Sequence, residues 1–326
     1  MKIKSKRILL ALLPAMLCLL TGCRRESPLG SRFYTEAVGI DVGAAEKTVT
    51  MQGYLADQGD AGDRKCMTVT GESITEALAE LTGQTGREPY FPHNRALVVS
   101  EEAARQGLEP LLLFFTDYTG CRPGVPLFVA EGTAAEVVEA LSGEHGTDAR
   151  LLSELTDPEL MAGRTMYTPL YTTMTANGAG DFAAPLVRAE ENGLRVTGTA
   201  IFRAGVLTGR LTAEETVALH LMRGTLKNTL VRCTLPEGNV TVAVTADEMV
   251  CRTVEDGCHL RAVCRGTVFE SDFPVSAGGA GPVRSMLETE CRVQLTEWVQ
   301  SAMQKLGEIP AKIEIQIKIT SVGDNS

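Results

Sequence analysis

The chain is poor in aromatics and has one tryptophan, Trp298, and four histidines in 326 residues. It also lacks the short patterns that mark a reaction centre. No HExxH occurs, and no other histidine spacing sets two ring nitrogens on one helical face, so a zinc site has no support beyond Cys258-His259 and scattered acids. No G-x-S-x-G elbow presents a serine nucleophile, and no G-x-x-x-x-G-K-[ST] loop cradles phosphates. The run Gly278-Gly279-Ala280-Gly281 lacks that signature and reads as a flexible connection. Glu190-Glu191 and Glu214-Glu215 are adjacent carboxylates, which on a helix point to different sides. They are expected to be solvated charge rather than an acid/base pair. These absences leave no catalytic residue, no cofactor and no metal to assign, and they favour a binding or assembly module.

An excess of positive charge is missing too. The 31 Lys and Arg against 41 Asp and Glu give a net charge of −10, which argues against a nucleic-acid partner. Nine cysteines are present, but none forms a CxxC pair. With Cys18 and Cys23 in or beside the N-terminal apolar run, an odd number remains. Cys258 and Cys264 share one face of a predicted strand about 20 Å apart, at about 3.3 Å per residue, and cannot bond to each other. Free thiols packed as small hydrophobes are expected, in keeping with a host that lives without oxygen.

No apolar run reaches the roughly 18 to 20 residues of a spanning helix. What the N-terminus does hold is Lys2, Lys4, Lys6 and Arg7, then the apolar stretch Ile8 to Leu20, then Leu20-Thr21-Gly22-Cys23. Charge, length, small residues and cysteine agree in position with an export signal ending in a lipobox. Residues 1–22 are therefore expected to be removed. Cys23 is expected to carry the acyl chains, each buried methylene contributing about 0.8 kcal/mol to anchoring. Loss of the four cations would take the net charge to about −14. Residues 23–35, with Ser, Pro and Gly and no apolar periodicity, read as a tether to the outer face of the membrane.

Beyond the tether, periodicity predicts an α+β chain with mixed and antiparallel sheets flanked by helices. Strands are expected at Ala37–Asp41 and Thr48–Leu55, joined around Gly43, and at Met67–Thr70. Ser73-Ile74-Thr75-Glu76 is a capping-box pattern that opens a helix to about Thr82. Alternating strands and helices follow: Arg95–Val99, Glu101–Phe115 broken near Gly107 and Pro110, Val125–Ala130 and Ala134–Leu141. The apolar run Leu111–Phe115 is read as buried rather than membrane-dipping. Short helices are expected near Arg150–Leu155 and Leu170–Met174, and a strand at Ala184–Ala189.

A hairpin, Thr199–Phe202 with Val206–Gly209, precedes a helix opened by Thr212-Ala213-Glu214-Glu215. Strands follow at Asn239–Val244, Glu248–Thr253 and Cys258–Phe269, the last two joined across Asp256-Gly257. The long helix carries Val283, Leu287, Cys291, Leu295, Trp298, Ala302 and Leu306 on one stripe. Ile313, Ile315, Ile317 and Ile319 form a period-two closing strand. Three units are expected, at 36–192, 193–232 and 233–326.

Several blocks, in order, resemble the Ger(x)C family of spore germination lipoproteins, the C subunits of nutrient germinant receptors. After the lipobox comes Ala37-Val38-Gly39-Ile40-Asp41, similar to the family's opening strand. His93-Asn94-Arg95 through Val99-Ser100-Glu101-Glu102-Ala103-Ala104-Arg105-Gln106-Gly107-Leu108 resembles its second block. Gly198-Thr199-Ala200-Ile201-Phe202, Leu207-Thr208-Gly209-Arg210-Leu211 and Glu214-Glu215-Thr216 resemble its third. Two features depart from the family. Arg24-Arg25 replaces the Trp-Asp pair that follows the cysteine, and Leu306-Gly307-Glu308-Ile309-Pro310 joins the last helix to the last strand directly.

The resemblance implies a three-domain α+β lipoprotein in the spore inner membrane that assembles with integral membrane A- and B-type subunits and catalyses nothing. Only Cys23, with Leu20, Thr21 and Gly22, carries over as a site. The alternative is a solute-binding lipoprotein of a transporter, which would need two similar lobes around a cleft.

Overall fold

The computed structural model describes residues 32–55, 64–141, 149–175, 178–254, 257–275 and 281–322. The chain opens with β1 (Arg32–Val42) and β2 (Lys47–Leu55), antiparallel and turned at Gly43, whose N–H donates to the Glu46 carbonyl. β3 (Lys65–Gly71) pairs with β2. Ser73 then accepts from the Glu76 N–H to start α1 (Ile74–Thr85), three residues longer than its periodicity suggested, and Gly86 ends it in the left-handed region. β4 (Glu88–Tyr90), β5 (Ala96–Ser100), α2 (Glu101–Gln106), α3 (Glu109–Leu113), β6 (Leu127–Ala130), α4 (Ala134–Ala140) and α5 (Arg150–Glu154) follow. Leu170–Thr172 is a single 3₁₀ turn rather than the short helix expected there. It leads into the small pair β7 (Met174–Thr175) and β8 (Gly178–Ala179).

β9 (Phe182–Glu190), β10 (Gly193–Arg203) and β11 (Val206–Thr212) complete a nine-stranded sheet ordered β11-β10-β9-β6-β5-β1-β2-β3, with β4 beside β1. β1, β5, β6 and β9 run parallel at its centre, and hairpins extend both edges. A unit starting at residue 193 would cut the β9–β10 hairpin, which is hydrogen-bonded from Gly193↔Glu190 onward. These strands continue the first sheet, because β10 is long enough to pair on both sides. The central strands bury both faces, as parallel strands do. Leu97, Val99, Leu127 and Val129 face one core with α1, α2 and α3, including Leu111, Leu112 and Phe115. Ala96, Val98, Phe128 and Ala130 face α4 and α5.

After α6 (Ala213–Arg223), the second sheet takes the order β12-β13-β14-β15. It comprises β12 (Asn228–Leu235), β13 (Gly238–Val254), β14 (Gly257–Ser271) and β15 (Pro310–Val322). β12 alternates Val231, Cys233 and Leu235 inward, a strand that periodicity did not reveal. The two short strands expected between 239 and 253 are one strand carried through a bulge at Ala246/Glu248. The tip between β13 and β14, where a tight Asp256-Gly257 turn was expected, is partly outside the described residues. α7 (Pro282–Leu306) covers one face with Leu287, Cys291, Leu295, Val299, Ala302 and Met303. Each fully buried aliphatic side chain there contributes about 1.5–3 kcal/mol. The result is an α+β protein of mixed sheets and helices.

Helix α4 is fixed to the first sheet by β1. Gly39 leaves room for it: a Cβ there would stand 2.9 Å from the Ala134 carbonyl oxygen and 3.0 Å from Val138 Cγ2. Two residues on, Asp41 Oδ1 accepts from the Ala134 N–H at 2.8 Å and Oδ2 from the Ala135 N–H at 3.0 Å. Gly39-Ile40-Asp41 is thus a helix-docking device, in which Ile40 fills the opposite core. Asp41→Ala should lower the unfolding free energy by about 1–2 kcal/mol, the usual cost of a lost cap, read as an earlier urea midpoint with an unchanged m-value. An unmoved midpoint would mean that the cap contributes nothing.

Candidate functional site: the joint between the two sheets

Leu20, Thr21, Gly22 and Cys23 lie outside the described residues. The blocks that carry the family resemblance converge elsewhere, where the first sheet meets α6 and α7. Ser100 caps α2 by accepting from the Ala103 N–H at 3.3 Å, which places Glu101 at the helix start. Glu101 accepts from Arg105 at 2.9 Å and from Arg210 of β11, so the second block is bound to the third. Arg210 also reaches Glu131 Oε1 at 3.6 Å, and Arg188 holds Glu131 Oε2 at 2.7 Å. The two carboxylates are only 12% and 16% exposed, so water screens this network less than an ordinary surface pair.

One strand-end later the chain turns into α6. Thr212 Oγ1 accepts from the Glu215 N–H at 3.2 Å, and Glu215 Oε2 accepts from the Thr212 N–H at 2.7 Å, a complete capping box. The same carboxylate reaches α7, accepting from Ser301 Oγ at 2.6 Å and Lys305 Nζ at 2.7 Å. Glu215 is 5% exposed, which corrects the expectation of a solvated charge: α7 folds back over the helix start and supplies the donors that offset burial. Burial pushes its pKa up, but Lys305, Ser301 and the Thr212 N–H together hold it below the ordinary glutamate value.

Beside it, Thr216 and Thr199 share a buried hydroxyl contact of 2.8 Å. Gly198 is required because a Cβ would overlap the Leu211 carbonyl oxygen. His220 secures the far end of α6. Its Nε2 donates to the Thr165 carbonyl at 2.7 Å and its Nδ1 accepts from Thr225 Oγ1 at 2.8 Å. Burial lowers its pKa; the Thr165 carbonyl opposes this and the Arg223 charge adds to it.

Among the described residues no group of three His, Cys, Asp or Glu could hold a metal ion, and no helix is long and apolar enough to cross a membrane. His259 points away from the Cys258 and Cys264 side chains, as its strand position implied. A cleft of about 390 Å³ lies on the first sheet between Arg95, Arg122, Ser153, Thr156 and Tyr167. Of its lining, Arg95 lies 3.7 Å from Glu36, which Arg64 also holds at 2.6 Å outside the cleft, and Arg122 donates to the Asn94 carbonyl. Guanidinium groups outnumber carboxylates in this cleft, which suits it to an anionic group.

The mixed nine-stranded sheet, joined through α6 and α7 to a helix-covered second sheet, defines an α+β protein. The family described as "Spore germination protein N-terminal domain" matches residues 26–189, half of the chain, and the protein belongs to that family. A putative spore germination protein of Bacillus subtilis (strain 168), YfkR, is 24% identical over 239 residues. That match covers 67% of this chain and 62% of the relative's own length, so the chain spans less than two thirds of it. The crystal structure of the GerBC protein superposes with a TM-score of 0.53 at 16% identity, covering 86% of this chain and 96% of that one. The Ger(x)C fold is therefore shared across both sheets.

Glu215 and His220 both have folded pKa values below their unfolded ones. Each contributes stability that is full above its unfolded pKa and is lost as pH falls towards the folded value. The melting temperature should drop first below about pH 6.5, from His220, and again below about pH 4.3, from Glu215. His220→Gln should remove the first limb alone; a wild-type curve flat between pH 7 and 5 would contradict this. Glu215→Ala should cost about 1–3 kcal/mol of unfolding free energy at neutral pH, measurable by urea titration.

Proposed function

We propose that this spore germination protein is a lipoprotein subunit of a nutrient germinant receptor. In this reading residues 1–22 are removed, Cys23 is acylated, and residues 23–31 hold the folded body on the extracytoplasmic face of the spore inner membrane; the tether expected to run to residue 35 stops at Arg32, because Phe33, Tyr34 and Thr35 are buried in β1. Its partners are integral membrane A- and B-type subunits, and its contribution is assembly or signalling, with no catalytic step. The observation that carries the proposal is the coincidence of family membership with a lipobox immediately upstream of the matched region.

The start of β1 supports the anchoring. Arg32 follows Cys23 by nine positions, a tether that reaches at most about 30 Å. At that end Tyr34 stacks on Tyr54 at 5.3 Å, Tyr90 and His93 pack around them, and Arg32 lies 4.6 Å from the Tyr90 ring centroid. Aromatic rings with polar edges and a cation suit the headgroup region of a bilayer. Helix α6 then serves as the coupling element between the membrane-proximal first sheet and the second sheet.

In spores carrying Cys23→Ala, the protein is expected to leave the membrane fraction, and the response to one nutrient germinant should be lost while responses to others persist. Unchanged germination against amino acids, sugars and bile salts in a strain lacking the whole gene would overturn the proposal.

A further inference from the structure

None of the seven described cysteines is in a disulfide, but four of them meet in pairs that no spacing along the chain reveals. Cys233 on β12 lies 3.3 Å, sulfur to sulfur, from Cys291 on α7. Cys251 on β13 lies 2.8 Å from Cys258 on β14, within an ångström of the disulfide bond length of about 2.05 Å. In the β13–β14 ladder Cys251 stands opposite Leu260, and Cys258 opposite Thr253. The two thiols are thus diagonal neighbours on the face that packs inward, with their sulfurs already facing each other.

The pairs differ in access. Cys233 and Cys291 are both fully buried beneath α7. Cys251 is half-buried, and with Cys258 it walls a cavity of about 260 Å³ that opens to solvent beside Arg223 and Glu308. A small oxidant can reach one pair and not the other.

We propose that Cys251 and Cys258 form a redox modification site whose co-substrate is a low-molecular-weight disulfide, and that the Cys233–Cys291 pair stays reduced in the folded chain. In the first step one thiol of the accessible pair loses its proton, and its sulfur attacks the small disulfide. A mixed disulfide forms and one half of the reagent leaves as a thiolate. The second cysteine, once deprotonated, attacks the protein sulfur of that mixed disulfide, forms the Cys251–Cys258 bond and expels the other half. Two protein thiols are oxidised, one small disulfide is reduced to two thiols, and the two protons end on the products. Burial pushes the Cys251 thiol up to about 12, with the Cys258 sulfur beside it adding to the rise, so the exchange is slow at neutral pH and quickens as pH rises.

The position gives the bond a consequence. The cavity that holds the pair is walled on its other sides by Phe182, Ile201 and Phe202 of the first sheet and by Leu219 and Met222 of α6. Oxidation therefore staples β13 to β14 where Cys251 and Cys258 face the joint. The inference stands on sulfur geometry and access and is independent of the receptor reading.

The test exposes the folded full chain to oxidised glutathione at pH 7 to 9, blocks remaining thiols with iodoacetamide, and maps peptides without reduction. The expected result is a Cys251–Cys258 link that appears faster at higher pH and is reopened by dithiothreitol, with Cys233 and Cys291 unmodified until denaturant is added. Cys258→Ser should convert the link into a stable glutathione adduct on Cys251. Cys258→Ala should give the same adduct on Cys251, a second route should the first variant fail to fold. Full alkylation of Cys251 and Cys258 at a concentration that oxidises a control dithiol peptide would overturn the proposal, as would a Cys233–Cys291 link forming first in the folded chain.

Discussion

The carboxylate of Glu215 is the constraint on which the relation of the two sheets depends. A charge this deeply buried costs several kcal/mol unless it is fully paired. Its donors come from three places: the backbone where β11 becomes α6, and Ser301 and Lys305 in the last two turns of α7. Since α7 is also the lid of the second sheet, α7 cannot slide without leaving that charge uncompensated. Neither can α6 rotate, because the same oxygens complete its cap. A single glutamate thereby ties the start of one helix to the end of another across about ninety residues of chain, the separation its bond to Lys305 spans.

Around this point the structure turns the family blocks into fastenings. Gly39 and Asp41 seat α4 against β1. Glu101 of the second block holds Arg210 of the third, and Arg210 and Arg188 share Glu131 just past the end of β6. Residues that resemble a family pattern are often taken as reactive. Here their partners are other parts of the same chain.

Much of this was legible in advance where the signal is local. The hairpin of β1 and β2, the capped starts of α1 and α6, the stripe of α7 and the period-two pattern of β15 all depend on neighbours within a few residues, and each formed, although β1 begins at Arg32, five residues before its expected start. The failures share one cause. β12 alternates apolar and polar residues only weakly at its edges, and β13 passes through a bulge that interrupts its periodicity, so one was missed and the other divided. The boundary placed at residue 193 followed a glycine-rich turn, whereas β10 uses that turn to stay in the same sheet. Two adjacent glutamates look alike in sequence, yet Glu215 is buried because α7 folds over it, and Glu214 is not.

By itself, then, the sequence determined the export-signal pattern ending at Cys23, the α+β class and most helix and strand positions. Those properties are written in charge, apolar periodicity and caps over short windows, where side chains meet at fixed intervals along one element. Only the tertiary structure decided that Glu215 is an anchor, that Glu101 finds Arg210, and that four cysteines stand in two unequal pairs. Such contacts join residues tens of positions apart, and their distances are set by how helices pack on sheets, which no local period records.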